Sequence, residues 1–203
     1  MTAHPPNDAR LVLPAEAAQA ADVLARAFHD DPVLNWLFAG ADDVVAAIDS
    51  FFPIAIASGL TRGHLYRSPG WEAVAYWSPP GAHGMFNPEH APSVGELVVG
   101  AIGPERAAAT GQLSEILAEH HLTEAHFYLP FIGVAPEWQG RGYGKVVMQP
   151  VLDLCDHHRL PAYLESSNPR NIPFYERLGF RVTAEFAADG GPPMAGMRRD
   201  PAN

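Results

Sequence analysis

Three alternating glycines, Gly140, Gly142 and Gly144, follow an apolar run that ends near Val134 and precede an amphipathic segment. Glycine accepts backbone conformations that place successive N–H groups on one side of a turn. The segment behind the loop opens as a helix, whose first N–H groups lack intrahelical partners and whose dipole is positive at that end. The sequence therefore predicts a strand–loop–helix unit that can bind an anion such as a pyrophosphate.

The spacing of these glycines excludes two common phosphate-binding motifs. The alternating pattern does not match G-x-G-x-x-G, and Val146 follows Lys145 where G-x-x-x-x-G-K-[ST] needs a hydroxyl. The pattern that fits is Gln139-x-x-Gly142-x-Gly144. Here the chain resembles the GNAT superfamily of N-acetyltransferases, whose CoA-binding segment reads Q/R-x-x-G-x-G/A.

Residues on both sides of the loop extend this resemblance. Phe-Ile-Gly-Val-Ala-Pro-Glu-Trp stands at 131–138, and Asn168, Asn171 and the segment 174–180 resemble the closing segment of the family. The resemblance is firm over 126–187. It implies one N-acetyltransferase domain over residues 1–203 with a mixed α/β fold. A central, mostly antiparallel sheet with splayed strands would be flanked by helices.

Hydrophobic periodicity and turn residues place the elements along the chain. We predict strands at 11–13, 64–67, 73–77, 126–134, 161–166, 181–187 and 193–199. We predict helices at 15–28, from Pro32 onward with Asp31 as the N-cap, and at 44–58, 94–100, 104–119, 144–157 and 172–178. Residues 1–9 are expected to be a flexible tail, and 80–125 a helical insertion near the substrate groove. Pro150 should kink its helix, and the strand carrying Pro130 and Gly133 should bulge and leave its neighbour near Gly133.

The resemblance implies that acetyl-CoA (CoA) is the cofactor. Backbone groups of the strand at Ile132, Gly133 and Val134 would hold the pantetheine arm, because a bulged strand leaves polar groups unpaired. N–H groups of the loop would hold the pyrophosphate; its residues are Gln139, Gly140, Arg141, Gly142, Tyr143, Gly144 and Lys145. Asn168, Asn171 and Tyr175 would lie near the cofactor. Asn171 fits equally well as the N-cap of the next helix.

Acetyl transfer needs a neutral amine and a proton for the departing thiolate. The resemblance makes Tyr175 the candidate acid, and the alternative is a packed aromatic side chain whose hydroxyl finds a partner. The oxyanion would face backbone N–H groups near Gly133. The base stays open: Tyr128 stands where some relatives carry a glutamate, and His126 or Glu165 could relay a proton through water, or no single base exists.

We expect the acceptor to be a primary amine of a small molecule or peptide, which attacks acetyl-CoA directly in a ternary complex. Asp30, Trp36, Tyr76 and Tyr128 are the candidate substrate contacts. Each of two candidates also has a simpler structural interpretation: Asp30 as a residue at the start of a helix, and Trp36 as a residue of the hydrophobic core.

Two other classes of function compete with the enzyme. One is a non-catalytic CoA or acyl-CoA sensor, which the presence of Tyr175 disfavours. The other is a histidine metal site, although the chain lacks His-Glu-x-x-His, so we expect no metal. Its candidate ligands are His120, His121, His126, His157 and His158.

Composition sets the expected partners and compartment. The formal net charge is −10, which repels phosphate backbones, so no nucleic-acid partner is expected. No apolar run approaches the roughly 20 residues of a membrane helix, and the first residues do not read as a secretory signal. Cys155, the single cysteine, fits a packed core thiol in a reducing compartment. We therefore expect a cytoplasmic protein without a membrane partner, and the resemblance allows a homodimer.

Overall fold

The computed structural model describes residues 8–82 and 84–202 and holds one seven-stranded sheet in the order β1-β2-β3-β4-β5-β7-β6. The strands are β1 (Arg10–Leu11), β2 (Leu65–Arg67), β3 (Ala73–Ser78), β4 (Phe127–Val134), β5 (Ala162–Ser166), β6 (Arg181–Phe186) and β7 (Met194–Arg199). The helices are α1 (Ala17–Phe28), α2 (Pro32–Leu37), α3 (Val44–Arg62), α4 (Ala91–Ile102), α5 (Pro104–Thr110), α6 (Gln112–His120), α7 (Tyr143–His158) and α8 (Ile172–Glu176). The predicted mixed α/β class is confirmed.

The sheet splits in the middle, between β4 and β5. These two strands are parallel and pair only at Phe127 with Ala162 and at Tyr128 with Tyr163, whereas the other neighbouring strands in the described sheet are antiparallel. Beyond Tyr128, β4 continues to Val134 beside β3 alone. The mostly antiparallel sheet with splayed strands is therefore as expected, and the split starts earlier than predicted.

The irregularity in β4 lies at Pro130 rather than near Gly133. Tyr76 pairs with Phe131 and Ser78 pairs with Tyr128, so β4 carries one residue more than β3 across this interval. A proline has no N–H to donate to the ladder, which explains why the extra residue is accommodated beside Pro130.

Gly133 has a different structural role, which is to let α1 approach the sheet. It pairs regularly with Val74 of β3. A Cβ atom at this position would lie 2.7 Å from the Cβ of Ala27 and 3.0 Å from Cδ2 of Leu24. A side chain here would push α1 away from β4, so the glycine is required by packing.

The sheet has an apolar layer on each face, as the alternation along β3 requires. Val74 and Tyr76 join the core formed with α1 and α3. Ala73, Ala75 and Trp77 join the core formed with α7. The predicted core thiol, Cys155, is completely buried in that second layer, and burial raises its pKa to about 12.

Several element boundaries differ from the predictions. A 3-10 turn at Pro14–Glu16 precedes α1, and α3 continues through Pro53 to Arg62. The insertion holds three helices because a bend at Gly111 separates α5 from α6. Of the predicted tail, residues 1–7 lie outside the described residues. The predicted cap of α2 is confirmed, since Asp31 accepts hydrogen bonds from the N–H groups at 33 and 34.

Helix α3 corrects the expectation that no segment has the dimensions of a membrane span. Among the described residues it is the one helix long and apolar enough, by length and composition, to cross a membrane. A core helix can have the same properties, and Ile48, Phe52 and Ile56 of α3 are enclosed in the core with α1 and β3. Its composition is therefore weak support for a membrane partner.

Candidate active site

A groove of about 1800 Å³ opens where β4 and β5 separate. Its walls come from the end of α1, the start of α2, the insertion helices α4–α6, the first turn of α7, the end of β5 and α8. Ligand pockets for one drug-sized molecule are commonly about 300–1,000 Å³. The groove is therefore large enough for two ligands side by side.

The free edge of β4 faces this groove. The Ala135 N–H donates to the Glu72 carbonyl at 2.8 Å, which continues the β3–β4 ladder. Because ladder bonds alternate along an antiparallel strand, Gly133 is also directed to β3, while Ile132 and Val134 direct their backbone groups to the opposite edge. The sequence predicts oxyanion-binding N–H groups near Gly133. Those of Ile132 and Val134 point toward the split between β4 and β5, whereas the N–H of Gly133 points to β3.

The glycine loop turns β4 into α7 as the sequence predicts. Gly140 and Gly142 have φ angles of +73° and +89°, which L side chains rarely adopt. Gly142 is the N-cap of α7 and offers no side chain to the first N–H groups, while its carbonyl accepts the Lys145 N–H at 3.1 Å. A Cβ at Gly144 would lie 3.0 Å from Cζ of Phe174, so α8 packs directly on the start of α7. The loop thus presents backbone N–H groups and a positive helix end to the groove.

Charged side chains of both signs line the groove. The basic ones include Lys145, from the first turn of α7, and Arg170, from the turn before α8. The acidic ones include Asp30 and Asp31, from the junction of α1 and α2, and Glu165 of β5. Arg141, also expected at the loop, lies outside the groove lining, and its guanidinium stands 4.9 Å from the ring centroid of Trp138.

The candidate acid, Tyr175, is buried and also lines the groove. Its ring packs against Phe174 and Phe180, at centroid distances of 5.1 and 6.0 Å. Burial raises the pKa of the Tyr175 hydroxyl well above its ordinary value, and the negative charge of Asp31 raises it further. The hydroxyl therefore keeps its proton at neutral pH and has a proton to donate there.

Asp31 is a buried groove residue whose environment the sequence did not reveal. The Ser167 hydroxyl donates a hydrogen bond to its Oδ2 atom, and burial raises the pKa of this carboxyl. Sequence reasoning assigned Asp31 only to the helix cap. The missed signal was the serine that follows β5, since a hydroxyl at a splayed strand end can reach a neighbouring element.

Three residues were considered as the base, and the structure separates them. Burial, followed by the nearby Glu165 carboxylate, raises the pKa of Tyr128 well above its ordinary value, which makes it a poor base. Glu165 lines the groove, and its side chain is 3% exposed. His126 precedes β4 and lies outside the groove lining. His121, which was considered only as a metal ligand, does line the groove and lies between Glu165 and His126.

Asn168 and Asn171 both line the groove. Asn168 caps the 3-10 turn Pro169–Asn171, since its Oδ1 accepts the Arg170 N–H at 3.1 Å. Asn171 precedes α8 but makes no side-chain cap bond, so the side-chain cap expected there is absent.

Two candidate substrate contacts are located elsewhere. Tyr76 is completely buried in the core, and its hydroxyl donates to the Met85 carbonyl at 3.0 Å. Trp36 packs beside Gly191, where an added Cβ would be 3.3 Å from its Cε2 atom. Neither side chain lines the groove, so both are corrected to packing residues, whereas Asp30 and Tyr128 do line it.

The histidines proposed as metal ligands do not form one cluster, although His121 contacts His126 and His157 contacts His158. His120 stacks on Phe186 at a centroid distance of 4.2 Å, and His157 and His158 lie at the end of α7. Over residues 8–82 and 84–202, no group of three His, Cys, Asp or Glu side chains is arranged to hold a metal ion. The metal-site alternative thus has no ligand set in the part described.

Comparison with known sequences identifies the segment that contains the groove. A model of the Acetyltransferase (GNAT) family matches residues 64–180, which include β4, the glycine loop and Tyr175. An uncharacterised N-acetyltransferase of Schizosaccharomyces pombe is 26% identical over an alignment of 174 residues that covers 80% of this chain and 69% of that protein.

Solved structures share the fold over nearly the whole chain. One is described as histone acetyltransferase HPA2 and related acetyltransferase, from Corynebacterium glutamicum; it is 22% identical, has a TM-score of 0.68 and covers 96% of both chains. Another is a Drosophila melanogaster polyamine N-acetyltransferase that catalyses the formation of N-acetylagmatine. It is 16% identical, with a TM-score of 0.62 and coverage of 94% of this chain and 97% of that one. At these identities the likeness is one of fold.

Proposed function

The chain belongs to the Acetyltransferase (GNAT) family, and we propose that it transfers the acetyl group of acetyl-CoA to a primary amine. The observation that carries this proposal is the free edge of β4, which runs into the uncapped start of α7. An unpaired strand edge can hydrogen-bond the amides of a pantetheine arm in the way it would bond another strand. The helix start next to it suits a pyrophosphate.

The residues of this site fit acetyl-CoA. Ile132 and Val134 would hold the pantetheine arm, and the N–H groups of the loop would hold the pyrophosphate. The Val134 carbonyl accepts a hydrogen bond of 3.2 Å from the Gln139 side chain. When the ligand binds, this bond would open and the carbonyl would accept a hydrogen bond from the pantetheine arm instead. Bound acetyl-CoA would supply an acetyl group activated as a thioester. The side chains of Lys145 and Arg170 would neutralise its phosphates.

The acceptor half of the groove favours an amine with an apolar body. Phe28, Phe51, Phe86 and Phe131 line it and pack edge to face or tilted, with Phe51 and Phe131 centroids 5.7 Å apart. Apolar side chains of the insertion helices complete this wall. The carboxylate of Asp30 also lines the groove and would attract the ammonium group. Such a chamber suits a small amine better than a polar protein tail.

The chemistry requires both substrates in the groove together, and the volume allows it. The amine must lose a proton before it attacks the acetyl carbonyl. Backbone N–H groups of Ile132 and Val134 lie on the edge where the carbonyl oxygen would become negative. Tyr175 would then give its proton to the departing thiolate.

A thiol-release assay tests this function. The purified chain would be mixed with acetyl-CoA and three classes of acceptor: aryl- or alkylamines, linear polyamines, and peptides with a free N-terminus. We expect the highest kcat/KM for an amine with an apolar body, with the acetylated amine identified by mass spectrometry. Binding of CoA by calorimetry without turnover of any acceptor would favour the non-catalytic sensor.

A further inference from the structure

A short chain of titratable side chains leads from the groove to the protein surface. Glu165, on β5, lines the groove with its side chain 3% exposed. His121, directly after α6, lines it with its side chain 23% exposed. His126 is half-buried just before β4 and lies outside the groove lining. The insertion thus places a histidine between a buried carboxylate and a second histidine.

Contacts connect these three side chains in sequence. The Nδ1 atom of His121 is 3.5 Å from Oε1 of Glu165. The Nε2 atoms of His121 and His126 are 3.2 Å apart, and Nδ1 of His126 is 2.7 Å from the Glu124 carbonyl oxygen. The first contact is long for a hydrogen bond, but catalytic hydrogen bonds commonly tighten when substrates bind.

The partners determine where the hydrogens sit. A carbonyl oxygen only accepts, so Nδ1 of His126 carries a hydrogen. The two Nε2 atoms share one hydrogen between them, and one more lies between His121 and Glu165. All three contacts can therefore form together only when the two imidazoles and the carboxyl group hold one extra proton. This proton is additional to those carried by two neutral imidazoles and an ionised carboxylate. That proton can reside on Glu165, His121 or His126, and it moves between them by shifts along two hydrogen bonds.

Other groups packed around this chain keep it enclosed. Tyr128 of β4 and Tyr163 of β5 pack edge to face on the His121 ring, at 4.6 and 5.4 Å. Burial raises the pKa of both hydroxyls, and the Glu165 carboxylate raises them further, so the tyrosines stay neutral. At the outer end, the Glu124 carboxylate forms an ion pair with Arg198. Burial lowers the pKa of His126, which favours release of a proton there.

We propose that His121 connects Glu165 to His126 as a proton relay, through which the acceptor ammonium loses its proton to solvent. This rests on the proposed function. The carboxylate of Glu165 would accept the proton from the ammonium group, and His121 would pass one on to Nε2 of His126. His126 would then release its Nδ1 proton to solvent when the hydrogen bond to the Glu124 carbonyl opens. Because His121 acts through Glu165, it is a positioning and relay residue rather than the group that meets the amine.

The protons of the reaction balance with this route. An ammonium substrate releases one proton through the relay and becomes a neutral amine. The amine forms the new C–N bond, the C–S bond breaks, and Tyr175 protonates the thiolate. The second proton of the nitrogen then restores the Tyr175 hydroxyl. One proton in total leaves for each acetyl group transferred.

The kinetic test compares two acceptors that differ in how tightly they hold the proton. They are the best alkylamine from the thiol-release screen and its β-difluorinated analogue, whose ammonium group is more acidic. In His121→Gln, kcat for the alkylamine should fall at pH 7 by about tenfold or more, and for the fluorinated amine by less than about threefold. Imidazole added to His121→Ala should restore turnover of the alkylamine.

The matched control is His157→Gln. His157 and His158 form an exposed pair with ring centroids 4.8 Å apart, the same separation as His121 and His126, but outside the groove lining. This variant should turn over both amines like the parent. Equal losses for both amines in His121→Gln, or no loss for either, would overturn the relay. A parent without turnover would instead refute the proposed function.

A second measurement needs no turnover and no variant at position 121. In NMR spectra of the parent, neutral His126 should be protonated at Nδ1. In Glu165→Gln, the titration midpoint of His126 should move to lower pH, because the Glu165 charge that raises its pKa is gone. An unchanged midpoint, or neutral His126 protonated at Nε2, would refute the relay even if no acceptor were found.

Discussion

The Ser167 hydroxyl donates a hydrogen bond to Oδ2 of Asp31, which joins the end of β5 to the start of α2 across the groove. The other oxygen, Oδ1, accepts the N–H groups of Val33 and Leu34 at 3.0 and 2.9 Å. One buried carboxylate therefore caps a helix, anchors the loop after β5 and acts electrostatically on Tyr175. It connects the N-terminal helices to the part of the sheet that lines the groove.

Replacing Asp31 with Asn should change how stability depends on pH. The folded-state pKa of Asp31 is raised by burial, so the folded protein binds this proton more tightly than the unfolded chain. The carboxyl therefore makes folding less favourable as the pH rises from the unfolded value of about 3.9 through the raised folded value. Asn caps a helix about as well as Asp and carries no charge.

Urea unfolding of the parent and of Asp31→Asn between pH 4 and 7 measures this effect. The parent should lose stability relative to the variant as the pH rises. Asp43→Asn changes an exposed cap, which accepts the Ala46 N–H at 3.0 Å, and controls for the substitution itself. A stability difference that stays constant with pH would mean that the Asp31 carboxyl is not desolvated.

Adding a methyl group at Gly133 should separate α1 from the sheet. Its Cβ would lie 2.7 Å from Ala27, closer than real Cβ atoms approach, so Gly133→Ala should destabilise the fold by about 1–3 kcal/mol. In α4, Gly95 has nothing within 4 Å of an added Cβ, so Gly95→Ala should instead stabilise by about 0.5–1 kcal/mol. Denaturant midpoints measure both. Equal effects would contradict the packing role of Gly133.

Gly133 also shows how far the sequence can predict this fold. The pattern of the chain predicts the strands, the glycine loop and the helix cap at Asp31, because these depend on local periodicity and turn chemistry. Whether a glycine serves a bulge or a close helix contact depends on a residue far away in sequence, here Ala27. The same limit displaced the expected bulge from Gly133 to Pro130.

The residues of the candidate site also fall into those that the sequence predicts and those that depend on tertiary contacts. The motifs predict the loop, the asparagines and Tyr175, and all of these residues except Arg141 of the loop line the groove. The motifs do not predict Ser167 or the place of His121 beside Glu165, since both depend on contacts between distant elements. Tyr76 and Trp36 were candidates by residue type alone, and tertiary packing removes both from the groove lining.

A charged side chain at Gly142 should weaken CoA binding. Gly142→Glu would place a carboxylate at the start of α7, opposite in sign to what a pyrophosphate needs, and we expect at least about a tenfold loss of affinity. Calorimetry with CoA measures it. Gly190 also has a positive φ, +67°, and open space around an added Cβ, so Gly190→Glu matches the strain and the charge. Both variants should lose similar stability, but only the first should lose CoA binding. Unchanged affinity in folded Gly142→Glu would refute the loop assignment.

The Tyr175 hydroxyl is expected to carry the last proton transfer. Because its pKa is raised by burial and then by Asp31, it stays protonated up to at least about pH 10. The kcat of the parent should therefore not fall on the alkaline side through loss of this proton. Tyr175→Phe keeps the ring and its packing against Phe174 and Phe180, so CoA affinity should change little.

Removing the hydroxyl should lower kcat by roughly 10²–10⁴-fold at nearly constant KM, the usual size of a general-acid effect. Product release can hide such a loss in steady-state assays, so the rate is best measured in a single turnover with saturating acetyl-CoA. Tyr76→Phe is the control, because Tyr76 lies outside the groove lining and its buried hydroxyl donates to the Met85 carbonyl. That variant should lose about 0.5–1.5 kcal/mol of stability while its rate stays close to the parent. A folded Tyr175→Phe that transfers acetyl within a few-fold of the parent would mean that solvent water protonates the thiolate instead.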